Sequence, residues 1–151
     1  MDAELKRRIH ATCIKKLETR ISELKTELEA VRESAIAETK SSMGDKYETG
    51  REMMMQERNK LNKQLDICVH QLTALNAIDL DKIYTEVRHG ALVETNKGLF
   101  FISVALGALE KEKVKFFAIS GEAPIAKQMI GKKRNDNFSF NNQQYNISGL
   151  Q

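Results

Sequence analysis

The sequence predicts an α+β protein in which a long antiparallel α-helical coiled-coil hairpin precedes a small β-rich domain with one short helix. Up to residue 80, apolar residues recur at alternating steps of three and four, the period of a coiled coil. A polar stretch around Gly44 interrupts this pattern, and after Asp81 the apolar period changes to two, as in β-strands. We therefore predict a hairpin over residues 1–80 with its tip near 41–48, and an α+β domain over 81–151.

The two predicted helices carry apolar seams that match each other in an antiparallel register. The first seam comprises Ile14, Leu17, Ile21, Leu24, Leu28, Val31 and Ala35. The second comprises Met54, Leu61, Leu65, Cys68, Leu72 and Leu75. Facing residues of antiparallel helices have numbers with a nearly constant sum, and this sum is 85 for Leu17 with Cys68 and for Leu24 with Leu61. The chain should therefore fold back near residue 43, with arms on the order of 50 Å long at 1.5 Å per residue.

Towards the tip, this seam contains arginines in place of aliphatic residues. The register places Leu28 opposite Arg58 and Ala35 opposite Arg51. The end of a hairpin needs less core, and arginine stems can lie along apolar surface with the charge in water. The same pattern would also arise if the distal third of the hairpin were built to meet another surface.

The C-terminal region contains five predicted strands and one helix. The strands are Ala91–Thr95, Leu99–Val104, Lys115–Ser120, Asn137–Phe140 and Tyr145–Ser148. The segments TNKG, 95–98, and NNQQ, 141–144, predict turns. A short helix is predicted over 122–131, because Pro124 fits its first turn and Gly131 fits the position after its end.

Composition and charge exclude several classes of function. The net charge is +3, and all of the excess lies in residues 81–151, which hold 10 basic and 7 acidic side chains. This surplus is too small for tight nonspecific binding to duplex nucleic acid. No apolar run approaches the roughly 20 residues that cross a bilayer, and the first residues lack the apolar stretch of a secretory signal. Cys13 and Cys68 are too few for a disulfide framework, so we expect a cytoplasmic protein. Because no apolar run is long enough to cross a bilayer, we expect no membrane partner.

The sequence contains no motif for a self-contained active site. The three histidines are scattered, and no zinc-ligand pair, phosphate-binding glycine loop or nucleophile elbow is present. We expect a monomer that is not itself an enzyme and that binds no cofactor stably on its own.

Asp45 and Glu48 stand three residues apart at the predicted start of the second helix. One interpretation is structural: Asp45 caps the helix, Glu48 completes a capping box, and Gly44 ends the first helix. The other is that the two carboxylates complete a Mg²⁺ site whose remaining ligands come from a partner, since Mg²⁺ usually takes one or two carboxylates plus water and phosphate oxygens. The residues alone leave both interpretations open.

Two segments resemble motifs of the Gre family of bacterial transcript-cleavage factors. The segment APIAKQMIGKKRNDNFSF, 123–140, is similar to the family signature S-P-I-A-x-x-L-x-G-K-x-x-G-D. The matching residues are Pro124, Ile125, Ala126, Gly131, Lys132 and Asp136, whereas Ala123 replaces the serine and Asn135 replaces the second glycine. At the tip, GDKYE, 44–48, resembles the family's G-D-x-x-E, and YETGRE, 47–52, resembles its Y-x-x-A-R-E.

This resemblance implies a fold, a partner and site residues. The C-terminal domain would be FKBP-like and would dock on core RNA polymerase, while the coiled coil enters the secondary channel. Asp45 and Glu48 would then assist the polymerase in cleaving backtracked RNA with a shared Mg²⁺, in indirect contact with the 3′ end of the nascent RNA. The residues implied to contact the polymerase are Lys40, Ser41, Ser42, Tyr47, Arg51, Pro124, Ile125 and Lys132.

One departure from the family pattern keeps two further hypotheses open. In the family the acidic pair precedes the tyrosine by seven and four residues, and counting back from Tyr47 reaches Lys40 and Met43, which do not bind metals. The protein could therefore occupy the channel without promoting cleavage, as some members of the family do, with Lys40 and Arg51 setting the charge of the tip. The third hypothesis is a coiled-coil adaptor unrelated to transcription, in which the tip acids are helix caps only.

Overall fold

A computed structural model describes residues 2–41 and 45–151, with side chains given except at 38–41 and 45–47. The chain forms two compact units. We call residues 16–72 the helical unit, and residues 1–15 together with 73–151 the β unit. The predicted domains, 1–80 and 81–151, follow the change of sequence pattern, whereas the β unit also includes both ends of the predicted hairpin.

The helical unit consists of two antiparallel helices, as the seam pattern predicted. Helix α1 spans Ala3–Ser41 and helix α2 spans Asp45–Asn76, so both also contribute residues to the β unit. Leu17, Leu24 and Leu61 are almost completely buried in the seam. Arg20 donates from Nη2 to Oε1 of Gln64 across the helix pair at 3.0 Å. The numbers of these two residues sum to 84, which confirms the predicted register to within one residue.

The β unit is built on one six-stranded sheet. Its strands are β1 (Leu92–Thr95), β2 (Gly98–Ser103), β3 (Gly107–Lys111), β4 (Val114–Ser120), β5 (Asn137–Phe140) and β6 (Gln143–Leu150). The strand order is β3-β4-β2-β1-β6-β5. Strands β2 and β4 are parallel, and the other neighbours are antiparallel. Helix α3, Pro124–Met129, follows β4.

All five predicted strands are present, and the sheet contains one further strand, β3. Every residue of β3 is exposed or half-buried, so its sequence carries no alternating apolar signal. Its turn to β4 uses Glu112 and Lys113 at positive φ, 50° and 68°, where a glycine or asparagine would have marked a turn. Strand β6 also begins earlier than predicted, because the preceding turn needs only Asn141 and Asn142, both at positive φ.

Both faces of the sheet are covered within the β unit. On one face, α3 buries Ala126 and Met129 in a cluster with Val93, Phe100 and Ile147. Leu92, Phe101, Phe116 and Ala118 alternate with the residues of that face and are also buried. The first residues of α1 belong to this unit, and His10 makes an edge-on contact with the ring of Phe101 at 6.3 Å between centroids. The start of α1 is therefore part of the β unit's core.

Candidate functional site

The predicted functional residues of the tip lie where α1 ends and α2 begins. Helix α1 ends at Ser41 and α2 begins at Asp45. Ser42 lies outside the described residues, and the side chains of Lys40, Ser41, Asp45 and Tyr47 are likewise outside the described part of the structure. The predicted capping box and the predicted carboxylate pair therefore stay predictions. The start of α2 agrees with the predicted one within the precision of helix boundaries.

Glu48 and Arg51 are the tip residues whose side chains are described, and both are exposed. They are three residues apart on α2 and therefore share one face of the helix. Glu48 lies in the first turn of α2, where a carboxylate is favoured by the positive end of the helix dipole. An exposed carboxylate at this place can bind a cation together with ligands that a partner supplies.

The seam of the helical unit changes from closed to open along its length. Leu17, Leu24 and Leu61 are at most 3% exposed, whereas Leu28, Val31, Ala35 and Met54 are only half-buried. Arg51 and Arg58, which the register places in the seam, are exposed. A groove of about 750 Å³ runs between these parts of α1 and α2. The predicted weakening of the seam towards the tip is confirmed.

The residues that resemble the Gre signature lie in α3 and in the connection from α3 to β5. Pro124 opens α3, where its missing N–H costs no hydrogen bond. Gly131 follows the helix at φ 84°, a conformation that favours glycine, and its N–H donates to the carbonyl of Val87 at 2.8 Å. The N–H of Val87 donates to the carbonyl of Lys132, also at 2.8 Å. These two bonds fix the end of α3 to the segment that precedes β1.

Asn135 and Asp136 of the same segment shape its turn. Asn135 adopts φ 76°, and asparagine is the residue other than glycine that most readily takes this conformation. It stands where the signature has its second glycine. Asp136 accepts a hydrogen bond on Oδ2 from the N–H of Lys133 at 2.7 Å. The matched residues Gly131 and Asp136 thus have structural roles in this chain.

Three signature residues were predicted to contact a partner. Pro124 is exposed, and Ile125 and Lys132 are half-buried. The neighbouring Ile130 is 39% exposed. These residues leave an accessible surface at α3, and contact with a partner through it stays a prediction.

The β unit contains a buried lysine that the sequence pattern does not indicate. Lys6 is fully buried in the β unit, where Nζ donates to the carbonyl of Gln151 at 3.1 Å and lies 4.5 Å from the centroid of the Tyr84 ring. Desolvation lowers the pKa of Lys6 from 10.5 to about 8, against the attraction of Asp79. Burial, followed by the charge of Asp79, raises the pKa of Tyr84. A lysine in the first turns of a long helix is ordinarily exposed, so no pattern of residues indicates this burial.

The described side chains contain no cluster that would bind a metal by itself. Over residues 2–37 and 48–151, no group of three or more histidine, cysteine, aspartate and glutamate side chains is placed to hold an ion. Cys13 and Cys68 are buried, and Cys68 packs in the helical seam as predicted. None of the described helices has the length and hydropathy required to span a membrane.

No protein-family model and no curated protein sequence matches this chain. Two solved structures are similar to it in fold. A structure of the transcription factor Gfh1 aligns at 14% sequence identity with a TM-score of 0.40, covering 92% of this chain and 93% of the other. A crystal structure of GreA factor homolog 1 (Gfh1) of Thermus thermophilus aligns at 15% identity with a TM-score of 0.36, covering 91% and 94%.

Proposed function

We propose that this protein is a Gre-like transcription factor that binds bacterial RNA polymerase and stimulates cleavage of backtracked RNA. The supporting observation is the pairing of two features in one chain. In the antiparallel helix pair, the first turn of α2 contains Asp45 and Glu48. In the β unit, α3 and the connection from α3 to β5 carry the resemblance to the Gre signature. In this function the helix pair enters the secondary channel of the polymerase and the surface at α3 contributes to docking.

The donor set of the tip fits a metal site that is shared with a partner. Two carboxylates supply too few oxygens for an octahedral Mg²⁺ site, but they fit one that polymerase carboxylates, water and RNA phosphates complete. Bound there, Mg²⁺ would polarise a water and the scissile phosphate. The role of this chain is to bring Asp45 and Glu48 to the polymerase and to orient them. We expect no RNA cleavage by the chain alone.

The test is RNA cleavage in stalled elongation complexes supplied with Mg²⁺. We expect the added protein to shorten the RNA from its 3′ end. The double variant Asp45→Ser/Glu48→Gln should reduce the stimulation by about tenfold or more, since it removes both carboxylates from the ligand set. Serine still caps a helix and glutamine still completes a capping box, so this variant keeps the structural role of both residues.

Glu57→Ala is the matched control, because Glu57 is an exposed carboxylate of α2 that lies twelve residues beyond Asp45. It should leave the stimulation unchanged. Full activity of the Asp45→Ser/Glu48→Gln variant would contradict the catalytic role of the tip. Failure of the protein to bind core polymerase would contradict the whole proposal.

A second candidate function is occupation of the channel without cleavage. The observation that favours it is the spacing from Tyr47 and Arg51, which places Lys40 and Met43 where the family has its acidic pair. A protein of this kind would bind core polymerase, compete with other channel ligands and alter initiation or pausing, while the RNA 3′ end stays intact. The cleavage assay and a polymerase binding assay on the same sample separate the two functions.

A further inference from the structure

The groove in the distal part of the helical unit has the size of a small-ligand site. Its volume is about 750 Å³, and pockets for small molecules usually measure roughly 300–1,000 Å³. It lies between residues 25–36 of α1 and 51–62 of α2. We refer to it as the distal groove.

Apolar side chains line much of the distal groove. Ile36 and Met55 are 48% and 45% exposed, so the chain itself does not cover them. Methionine adapts to differently shaped apolar partners because its side chain is unbranched and flexible. The apolar lining residues are Leu28, Val31, Ala35, Ile36, Met54 and Met55.

The charges of the distal groove are predominantly positive. Lys25, Arg32, Arg51 and Arg58 line it, and Glu29 is the acidic residue among its lining side chains. Glu29 is already paired, since its Oε2 lies 3.7 Å from Nη1 of Arg32. Within the described part of the chain, Arg51 and Arg58 form no ion pair. Guanidinium groups bind carboxylates and phosphates through paired hydrogen bonds, so each of these two arginines is suited to an anionic group.

We propose that the distal groove binds an anionic amphiphile, a molecule with one carboxylate or phosphate head and an apolar chain. The head pairs with the guanidinium group of Arg51 or of Arg58, and the chain lies on the aliphatic and methionine side chains. Among the lining side chains that the structure describes, none is aromatic and six are aliphatic or methionine, which favours an apolar chain over a nucleobase. Its volume suits a small molecule better than a helix of a partner protein. This inference is independent of the proposed function.

The first experiment is calorimetric titration of the full chain with dodecanoate below its micelle concentration. We expect binding to one site, with no binding of dodecyltrimethylammonium, which has the same chain and the opposite charge. Acetate, which lacks the chain, should also fail to bind. Equal binding of the cationic and anionic amphiphiles would overturn the proposal, and so would the absence of dodecanoate binding. An acidic amphipathic peptide that binds where dodecanoate does not would overturn it in favour of a protein partner.

Vesicles of phosphatidylglycerol distinguish the two sources of such a head group. Co-sedimentation with the vesicles together with dodecanoate binding would support a lipid as the natural ligand. Dodecanoate binding without co-sedimentation would support a free amphiphile. Co-sedimentation without dodecanoate binding would overturn the groove as the site, because a charged surface alone then explains it.

Variants test whether the groove is the site. The double variant Arg51→Gln/Arg58→Gln should weaken dodecanoate binding by about tenfold or more, the loss expected for a charge-assisted hydrogen bond. The matched control is Lys60→Gln/Lys63→Gln, which removes two exposed charges of α2 outside the groove. Ala35→Phe should abolish binding by filling the groove without removing a charge. Retention of full affinity in both groove variants, with circular dichroism showing intact helices, would overturn the proposal.

Discussion

The β unit buries a basic side chain, whereas the helical unit leaves two basic side chains of its seam exposed. In the β unit, Lys6 is fully buried, and its ammonium group is held by the carbonyl of Gln151 and the face of Tyr84. In the helical unit, Arg51 and Arg58 occupy positions of the seam, yet both stay exposed beside a groove. In the β unit, the polar contacts of the buried lysine are therefore made within the unit itself. The distal helical unit keeps polar and apolar groups accessible, as a surface that meets another molecule requires.

The largest expected effect comes from comparing truncations in the two regions. Phe101 is fully buried in the sheet, and Phe101→Ala should lower the free energy of unfolding by about 4 kcal/mol. Met54 is half-buried beside the distal groove, and Met54→Ala should cost about 1 kcal/mol, because little new cavity is created. Urea denaturation followed by circular dichroism measures both changes. Equal costs would show that the groove is packed as tightly as the sheet core.

The second prediction concerns the buried lysine. The pKa of Lys6 is about 8 in the folded protein and 10.5 when the residue is exposed, so the unfolded chain binds more protons between these values. The free energy of unfolding should therefore rise with pH above 8, and this contribution is lost as the pH falls through 8. Between pH 8 and 9.5 the rise should be about 2 kcal/mol. Tyr84, whose pKa is raised, acts in the opposite direction only at higher pH.

Lys6→Met should abolish this dependence on pH, because it removes the titrating group and keeps the length of the side chain. Lys15→Met is the matched control, since Lys15 is an exposed residue of α1 in the same unit, and it should leave the dependence as it is. Urea midpoints at several pH values measure the effect. An unchanged pH profile in Lys6→Met would show that the ammonium group is better hydrated than its burial indicates.

The smallest expected effect is a gain in stability on closing the seam. Arg58→Leu places an aliphatic side chain opposite Leu28, the arrangement found in the closed part of the helical unit. It should stabilise the helical unit by up to about 1 kcal/mol. Hydrogen exchange of the amides in 25–36 should slow accordingly. A loss of stability would show that the arginine stem already packs in the seam.

The helices, their register and most of the sheet followed from local patterns. The seam residues predicted the pairing of α1 with α2, because two heptad seams joined by a short turn can both be buried only when facing residues have a nearly constant sum of numbers. Pro124 and Gly131 marked the two ends of α3, since each favours a backbone conformation found at that place. Strand β3 was missed because its side chains are not buried and its turn residues carry no characteristic signal.

The sequence by itself determined that this protein has a paired helical segment with an acidic turn, a β-rich segment and no motif for an active site of its own. These features depend on periodicity and on residue types whose backbone preferences act locally. The tertiary structure alone decided that Lys6 is buried, that Asn135 adopts a positive φ, and that Arg51 and Arg58 border a groove. The physical reason is that burial, pKa and cavity volume depend on which distant side chains surround a residue, and the order of residues along the chain does not specify that directly.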